Sequence, residues 1–159
     1  MRILGIDPSY TATGLVILED HGCSLCVVGH TLLKLPPGPR RLLRAAKGLH
    51  GFIVGKGVSL VLCEDAAFGA PDPTVVGMLK ELTGVYRLVV EAHDIPIAMV
   101  SPTTVKKEVG HSGRASKGDV AERLSSIYAI TFDSDKGNDL SDAAGIAVLG
   151  WLRKWGGKL

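Results

Sequence analysis

Four carboxylates in this 159-residue sequence stand where side chains do chemistry. Asp7 ends the apolar run Ile3-Leu4-Gly5-Ile6 and precedes Pro8, which cannot donate to a sheet ladder, so a strand should stop at the aspartate. Glu64 follows a second, uninterrupted apolar run over residues 58–63, the pattern of a strand buried on both faces. Asp139 and Asp142 are three residues apart at the start of a helical stretch and so share a face. Brought together, four such groups repel, and hard divalent cations are what neutralise them. Two Mg²⁺ ions, with Mn²⁺ as a substitute, would balance the four acids and could attack a phosphodiester by activating water on one side and stabilising the departing oxygen on the other.

Each acid also has a purely structural reading. Asp139 with an acid three residues on resembles a helix cap, and an acidic first turn suits the helix dipole. Asp7 could be a turn residue and Glu64 a solvated strand end. Their joint placement favours chemistry. Asp65, Glu91, Asp133 and Asp135 read as surface groups.

The elements that must position these acids follow from the pattern. Residues 2–7, 14–19 and 23–33 read as three antiparallel strands, with a hairpin signal at Asp20-His21-Gly22. After Pro36-Pro37-Gly38-Pro39, a helix over residues 40–54 is predicted to turn Arg40, Arg41, Arg44 and Lys47 to one side and Leu42, Leu49, Phe52 and Ile53 to the other. Strand 58–63, a helix over 74–93, a buried strand over 95–100, a short helix capped by Ser101 with Pro102 at its first position, and helices over 116–130 and 139–155 complete the chain. The result is a mixed five-stranded sheet flanked by helices, an α/β fold in one domain spanning 1–159. The 74–93 helix is apolar over more than one packing face, as a twofold interface between copies would require.

Composition narrows the function. Apolar residues are 46% and charged residues 21%, ordinary for a globular chain, which rules out disorder, collagen and coiled coil. The net charge is only +2, yet no acid occurs between Asp20 and Glu64, a stretch holding Lys34, Arg40, Arg41, Arg44, Lys47 and Lys56. A polyanion is the expected partner, with Arg40, Arg41, Arg44 and Lys47 contacting phosphates without reading bases. A second basic group, Lys106, Lys107, Arg114 and Lys117, surrounds a loop bounded by Gly110 and Gly113. Three cysteines do not form a secreted disulfide framework, no apolar run reaches signal or membrane length, and a cytoplasmic setting, bacterial or phage-borne, is expected. His21, Cys23, Cys26 and His30 are residue types that bind zinc, but strand parity sends the first two and last two to opposite faces.

Ile3-Leu4-Gly5-Ile6-Asp7-Pro8 with Thr13-Gly14, Glu64, and Asp139-Leu140-Ser141-Asp142-Ala143 together resemble the RuvC family of Holliday junction resolvases, in the RNase H-like superfamily. The likeness runs in order over nearly the whole chain. It implies that Asp7, Glu64, Asp139 and Asp142 bind the metals, that Lys106 and Lys117 assist catalysis with Lys107 as substitute for the first, and that Phe68 stacks on junction bases. Ser9 stands where the family usually has glycine, a departure at the turn that presents Tyr10, and Phe68 lies one residue beyond the family's aromatic. The implied protein is a homodimer that nicks a four-way DNA junction symmetrically, leaving ligatable ends.

Three other functions fit parts of the sequence. A YqgF-type nuclease acting on structured RNA shares the opening strand, though the paired lysine region suits a resolvase better. An actin-type or sugar-kinase ATPase needs two lobes, for which the chain is too short. A non-catalytic junction-binding module would have little reason to carry all four acids.

Overall fold

The computed structural model describes residues 1–65, 72–132 and 139–156. Three antiparallel strands, β1 (Arg2–Asp7), β2 (Ala12–Asp20) and β3 (Leu25–Lys34), lead into α1 (Arg41–Ile53), β4 (Val58–Glu64), α2 (Pro73–Glu91) and β5 (Ile97–Val100). The helices α3 (Pro102–Glu108), α4 (Lys117–Tyr128) and α5 (Asp139–Gly156) follow. The sheet order is β3-β2-β1-β4-β5, with β1 antiparallel to β2 and parallel to β4. This is the expected mixed sheet, three strands antiparallel and two parallel.

Strand alternation sorts the core into two layers. Leu4, Ile6, Leu15, Ile17, Val61 and Cys63 face α1 and α2 with Leu49, Ile53, Leu82, Tyr86 and Val90. Ile3, Val16, Leu18, Leu60 and Leu62 face the other way, onto Val105, Val120, Leu124 and the α5 residues Ala143, Ile146 and Ala147. By the same parity Asp7 lies on the α5 side of β1 and Glu64 on the α5 side of β4. The parallel register pairs Ile6 with Cys63, so the two acids are the next residues out at the same edge of the sheet.

Two expectations needed correction. The stretch 95–100 is predicted as a buried strand, but β5 is one of the sheet's two outer strands and only Val100 is buried, while Met99 is 36% exposed. An outer strand has a neighbour on one side only, so part of its apolar surface faces outward. In α1 the sheet-facing stripe is Ala45, Leu49 and Ile53, spaced four apart, whereas Leu42 is 36% exposed. Leu42 sits in the first turn, ahead of that stripe. No helix among the described residues is long and apolar enough to cross a membrane.

Helix α5 can approach the sheet closely because glycines meet it. A Cβ on Gly5 would overlap the Ala143 carbonyl oxygen and lie 2.8 Å from the Ala147 nitrogen. One on Gly14 would overlap the Asp139 carbonyl oxygen. Both obstacles are backbone, which cannot swing aside. Gly5→Ala is therefore expected to destabilise the fold by about 3 kcal/mol or more, the upper end for overpacking. Urea unfolding measures it, and a loss below about 1 kcal/mol would show that α5 has room to retreat.

Candidate metal and catalytic centre

The site lies where the C-terminal ends of β1 and β4 meet the start of α5. A cavity of about 220 Å³ there is lined by Asp7, Glu64, Pro102, Val105, Lys106, Lys117, Val120 and Asp142. Three of the four predicted acids and both predicted catalytic lysines thus share one hollow. Asp139 stands at its margin, one helical turn before Asp142, with Lys117 Nζ 3.9 Å from its Oδ1. Lys117 also forms an ion pair with Asp142.

Local sequence explains each placement. Asp7 is carried to the end of β1 by a strand that is buried from Ile3 onward, and it is itself 8% exposed. Asp139 and Asp142 occupy the first turn of α5. Lys117 opens α4 behind a capping box in which Ser116 and Asp119 bond each other's backbone N–H. Lys106 projects from α3, which starts where the Ser101 side chain accepts from Thr104 N–H.

Electrostatics single this cluster out. Burial, then the charges of Glu64 and Asp142, push the Asp7 carboxyl well above the ordinary range, while Lys117 pulls the other way. Glu64 is raised to about 7, by burial first and by Asp142 second, against the opposing influence of Lys117 and Lys106. Partial loss of water works to lower Lys117, whose side chain is about half exposed, but its contact with Asp142 and the charges of Asp142, Asp7 and Asp139 outweigh that and raise it. Acids that resist ionisation beside one another form a set of hard oxygen donors, the chemistry that suits Mg²⁺ or Mn²⁺. The fit is one of donor type and charge. Among the described residues no three ligating side chains already converge tightly enough to hold one ion, and the Lys117 ammonium lies among the acids.

The other predicted residues are placed as follows. Arg40, Arg44, Lys47, Lys107 and Arg114 are exposed, the first three on and just before α1, the last two beyond the cavity lining. Arg41 is half-buried, with its guanidinium 3.5 Å from the centroid of the Tyr10 ring and a hydrogen bond to the Tyr10 carbonyl. It is therefore not an open member of the cationic arc, because Tyr10 covers it. Phe68, like Asp133 and Asp135, lies outside the described residues. Asp65 is half-buried, and Glu91 pairs with Arg87 at 2.7 Å. Of the rejected zinc set, Cys23 and Cys26 are exposed and unbridged, His21 lies 3.5 Å from Glu19, and His30 packs edge-on against Phe132.

Sequence reasoning missed the residues that support the centre. Gly5 and Gly14 admit α5, and the available signal was glycine inside otherwise apolar strands. Thr13 Oγ1 and Tyr86 Oη are 2.6 Å apart in the core, joining β2 to α2 just behind the Asp7 turn. Only the fold brings those two together.

A five-stranded mixed sheet with an acidic centre at the strand ends defines an RNase H-like fold, and comparison with solved proteins agrees. Thermus thermophilus RuvC superposes with a TM-score of 0.86 at 21% identity, over 99% of this chain and 98% of that one. The same protein in complex with Holliday junction substrate gives 0.87 at 20% identity, over 98% and 96%. The family model for crossover junction endodeoxyribonuclease RuvC matches residues 3–150. Among curated relatives, the RuvC of Carboxydothermus hydrogenoformans is 29% identical over 98% of this chain and 99% of its own. That of Dehalococcoides mccartyi is 31% identical over 93% and 89%. The chain belongs to the RuvC family of crossover junction endodeoxyribonucleases.

Glu64 gives the centre a measurable pH signature. Its folded value of about 7 lies above the ordinary 4.5, so the unfolded chain releases this proton first as pH rises. Stability without divalent ions is fully present below about 4.5 and falls until about 7, from this group. A divalent ion must displace the same proton, so Mn²⁺ binding should tighten from pH 5.5 to pH 7.5 and do so less in Glu64→Gln. Mn²⁺ titrations followed by electron paramagnetic resonance test this, and equal pH dependence in both proteins would remove Glu64 from the ligand set.

Proposed function

We propose that this chain resolves four-way DNA junctions by paired, symmetric nicks through two-metal-ion phosphodiester hydrolysis. The observation that carries the reading is the meeting of Asp7, Glu64, Asp142, Lys106 and Lys117 around one cavity, in a chain of this family. The junction substrate is supported by the crossover junction activity for which its relatives are named and by the junction-bound Thermus thermophilus neighbour.

In this reading Asp7, Glu64, Asp139 and Asp142 hold two Mg²⁺ ions, with Mn²⁺ able to substitute. The ions would supply an activated water and charge stabilisation at the scissile phosphate. The chain's own residues do the rest. Lys106 and Lys117 flank the acids and offset negative charge on the phosphate as it builds up. Arg40, Arg44 and Lys47 give sequence-independent backbone contacts, with Lys107 and Arg114 adding others from the α3–α4 loop. Phe68 is assigned the base-stacking role on family resemblance alone. Three free cysteines and bacterial relatives support a cytoplasmic setting.

A homodimer would place two such centres on the two strands to be cut. Helix α2 supports this. It buries Leu82, Thr83, Tyr86 and Val90 in its own domain, yet leaves Leu88 67% exposed beside half-buried Val85 and Val89. That second apolar row suits an isologous interface. Light scattering is expected to give a dimer for the native chain and a monomer for Leu88→Glu, and an unchanged dimer would move the interface elsewhere.

For the chemistry, Asp7→Asn should lower Mg²⁺-dependent nicking of a mobile four-way junction by about 100-fold or more while junction binding persists, since several kcal/mol of charge stabilisation is removed. Linear duplex, flaps and structured RNA serve as competing substrates. Retained nicking in the variant would remove the metal mechanism. Preferential cleavage of RNA would favour a processing nuclease, and no nicking with any metal would favour a binding module.

A further inference from the structure

Arg41 is in the basic segment, but its surroundings do not suit a phosphate contact. Its guanidinium lies over the Tyr10 ring, 3.5 Å from the centroid, and donates from Nη2 to the Tyr10 carbonyl. Its Nε is buried without a hydrogen-bond partner. On its open side is a hollow of about 270 Å³ lined by Tyr10, Gly38, Pro39, Leu42, Met78 and Glu81. A phosphate entering there would meet the Glu81 carboxylate, an unfavourable encounter between like charges.

What Arg41 touches points to another role. Tyr10 lies in the four-residue turn, residues 8–11, that joins Asp7 at the end of β1 to the start of β2. This turn is pinned from several directions. Pro8 is buried, Arg41 holds the carbonyl of Tyr10, Leu35 N–H donates to the Thr11 carbonyl at 2.7 Å, and Thr13 meets Tyr86 at 2.6 Å. Tyr10 supplies the flat face that Arg41 stacks on. A planar guanidinium can stack and donate in one geometry, which an ammonium cannot reproduce.

We infer that Arg41 is a positioning residue: by stacking on Tyr10 and bonding its carbonyl, it fixes the turn that aims Asp7 into the acidic cavity. The inference rests on the reading of Asp7 as a metal ligand. A group that orients a ligand from outside typically changes metal affinity by about 10- to 100-fold when lost.

Two measurements on the full-length chain separate a clamp from a phosphate contact. Mn²⁺ binding followed by electron paramagnetic resonance needs no cleavage. Arg41→Ala should raise the Mn²⁺ concentration at half-saturation about 10-fold, and Arg41→Lys, which keeps the charge and folds with less disturbance, should raise it nearly as much. Adding Tyr10→Ala to Arg41→Ala should add little, because the two act as a unit. Four-way junction binding across salt concentrations gives the second measurement. Arg41→Ala should keep the native slope of log affinity against log salt, whereas Arg44→Ala should reduce its magnitude by about 1.

Unchanged Mn²⁺ binding in both Arg41 variants, or a slope in Arg41→Ala that falls as it does in Arg44→Ala, would overturn the clamp. Native protein that binds Mn²⁺ but nicks no junction would overturn the proposed function and leave the clamp to be judged on Mn²⁺ alone. Native Mn²⁺ binding that is indifferent to Asp7→Asn would overturn both.

Discussion

Like charge gathered beside a dry core governs this structure. Asp7, Glu64 and Asp142 reach one small cavity, and Asp7 is almost fully buried. Each carboxylate raises the cost of ionising its neighbours, and burial removes the water that would soften it. Such a cluster is tolerated only if the surrounding fold leaves the acids nowhere else to go. Here the supports are backbone: two adjacent parallel strands end together, and a helix begins directly against them.

The glycines make that arrangement possible at some expense. Glycine within a strand weakens it by roughly 0.5–1 kcal/mol relative to alanine, through lost entropy and packing. At Gly5 and Gly14 that penalty removes the side chains that would hold α5 off the sheet. Around them the sheet and helix are densely apolar, with Ile3, Val16, Leu62, Ala143, Ile146 and Ala147 all fully buried. The stability of this layer and the proximity of the acids come from the same contact. Moving α5 outward to relieve the charge would empty the core beneath it.

Much of this was legible in the sequence because the controlling signals are local. Pro8 after Asp7 fixed a strand end, and an unbroken apolar run before Glu64 fixed another. The spacing of Asp139 and Asp142 gave a shared helix face, and Ser101-Pro102 and Ser116 marked the starts of α3 and α4. Other features depend on which elements become neighbours. The exposure of β5 follows from its place at the sheet edge, which its four apolar residues do not encode. The covering of Arg41 by Tyr10 joins residues thirty-one positions apart, and helical periodicity alone had placed Arg41 with its exposed neighbours. Leu42 was misassigned for a related reason: a 100° wheel describes a face, but not how far along the helix that face is covered.

Charge placement at the two helix starts separates structural from chemical acids and bases. Asp139 and Asp142 lie in the first turn of α5, where the dipole favours negative charge, so helix stability and their position at and beside the cavity are compatible. Lys117 is the opposite case. It is the first residue of α4, behind a complete capping box, where the dipole disfavours a cation. Helix electrostatics therefore supply no reason for a lysine at this position. Its compensation comes from another element, through contact with Asp142 and proximity to Asp139, and those charges favour its protonated form. A lysine disfavoured by its own helix is here compensated by acids on another element. Its position beside Asp139 and Asp142 is thus balanced by their charge.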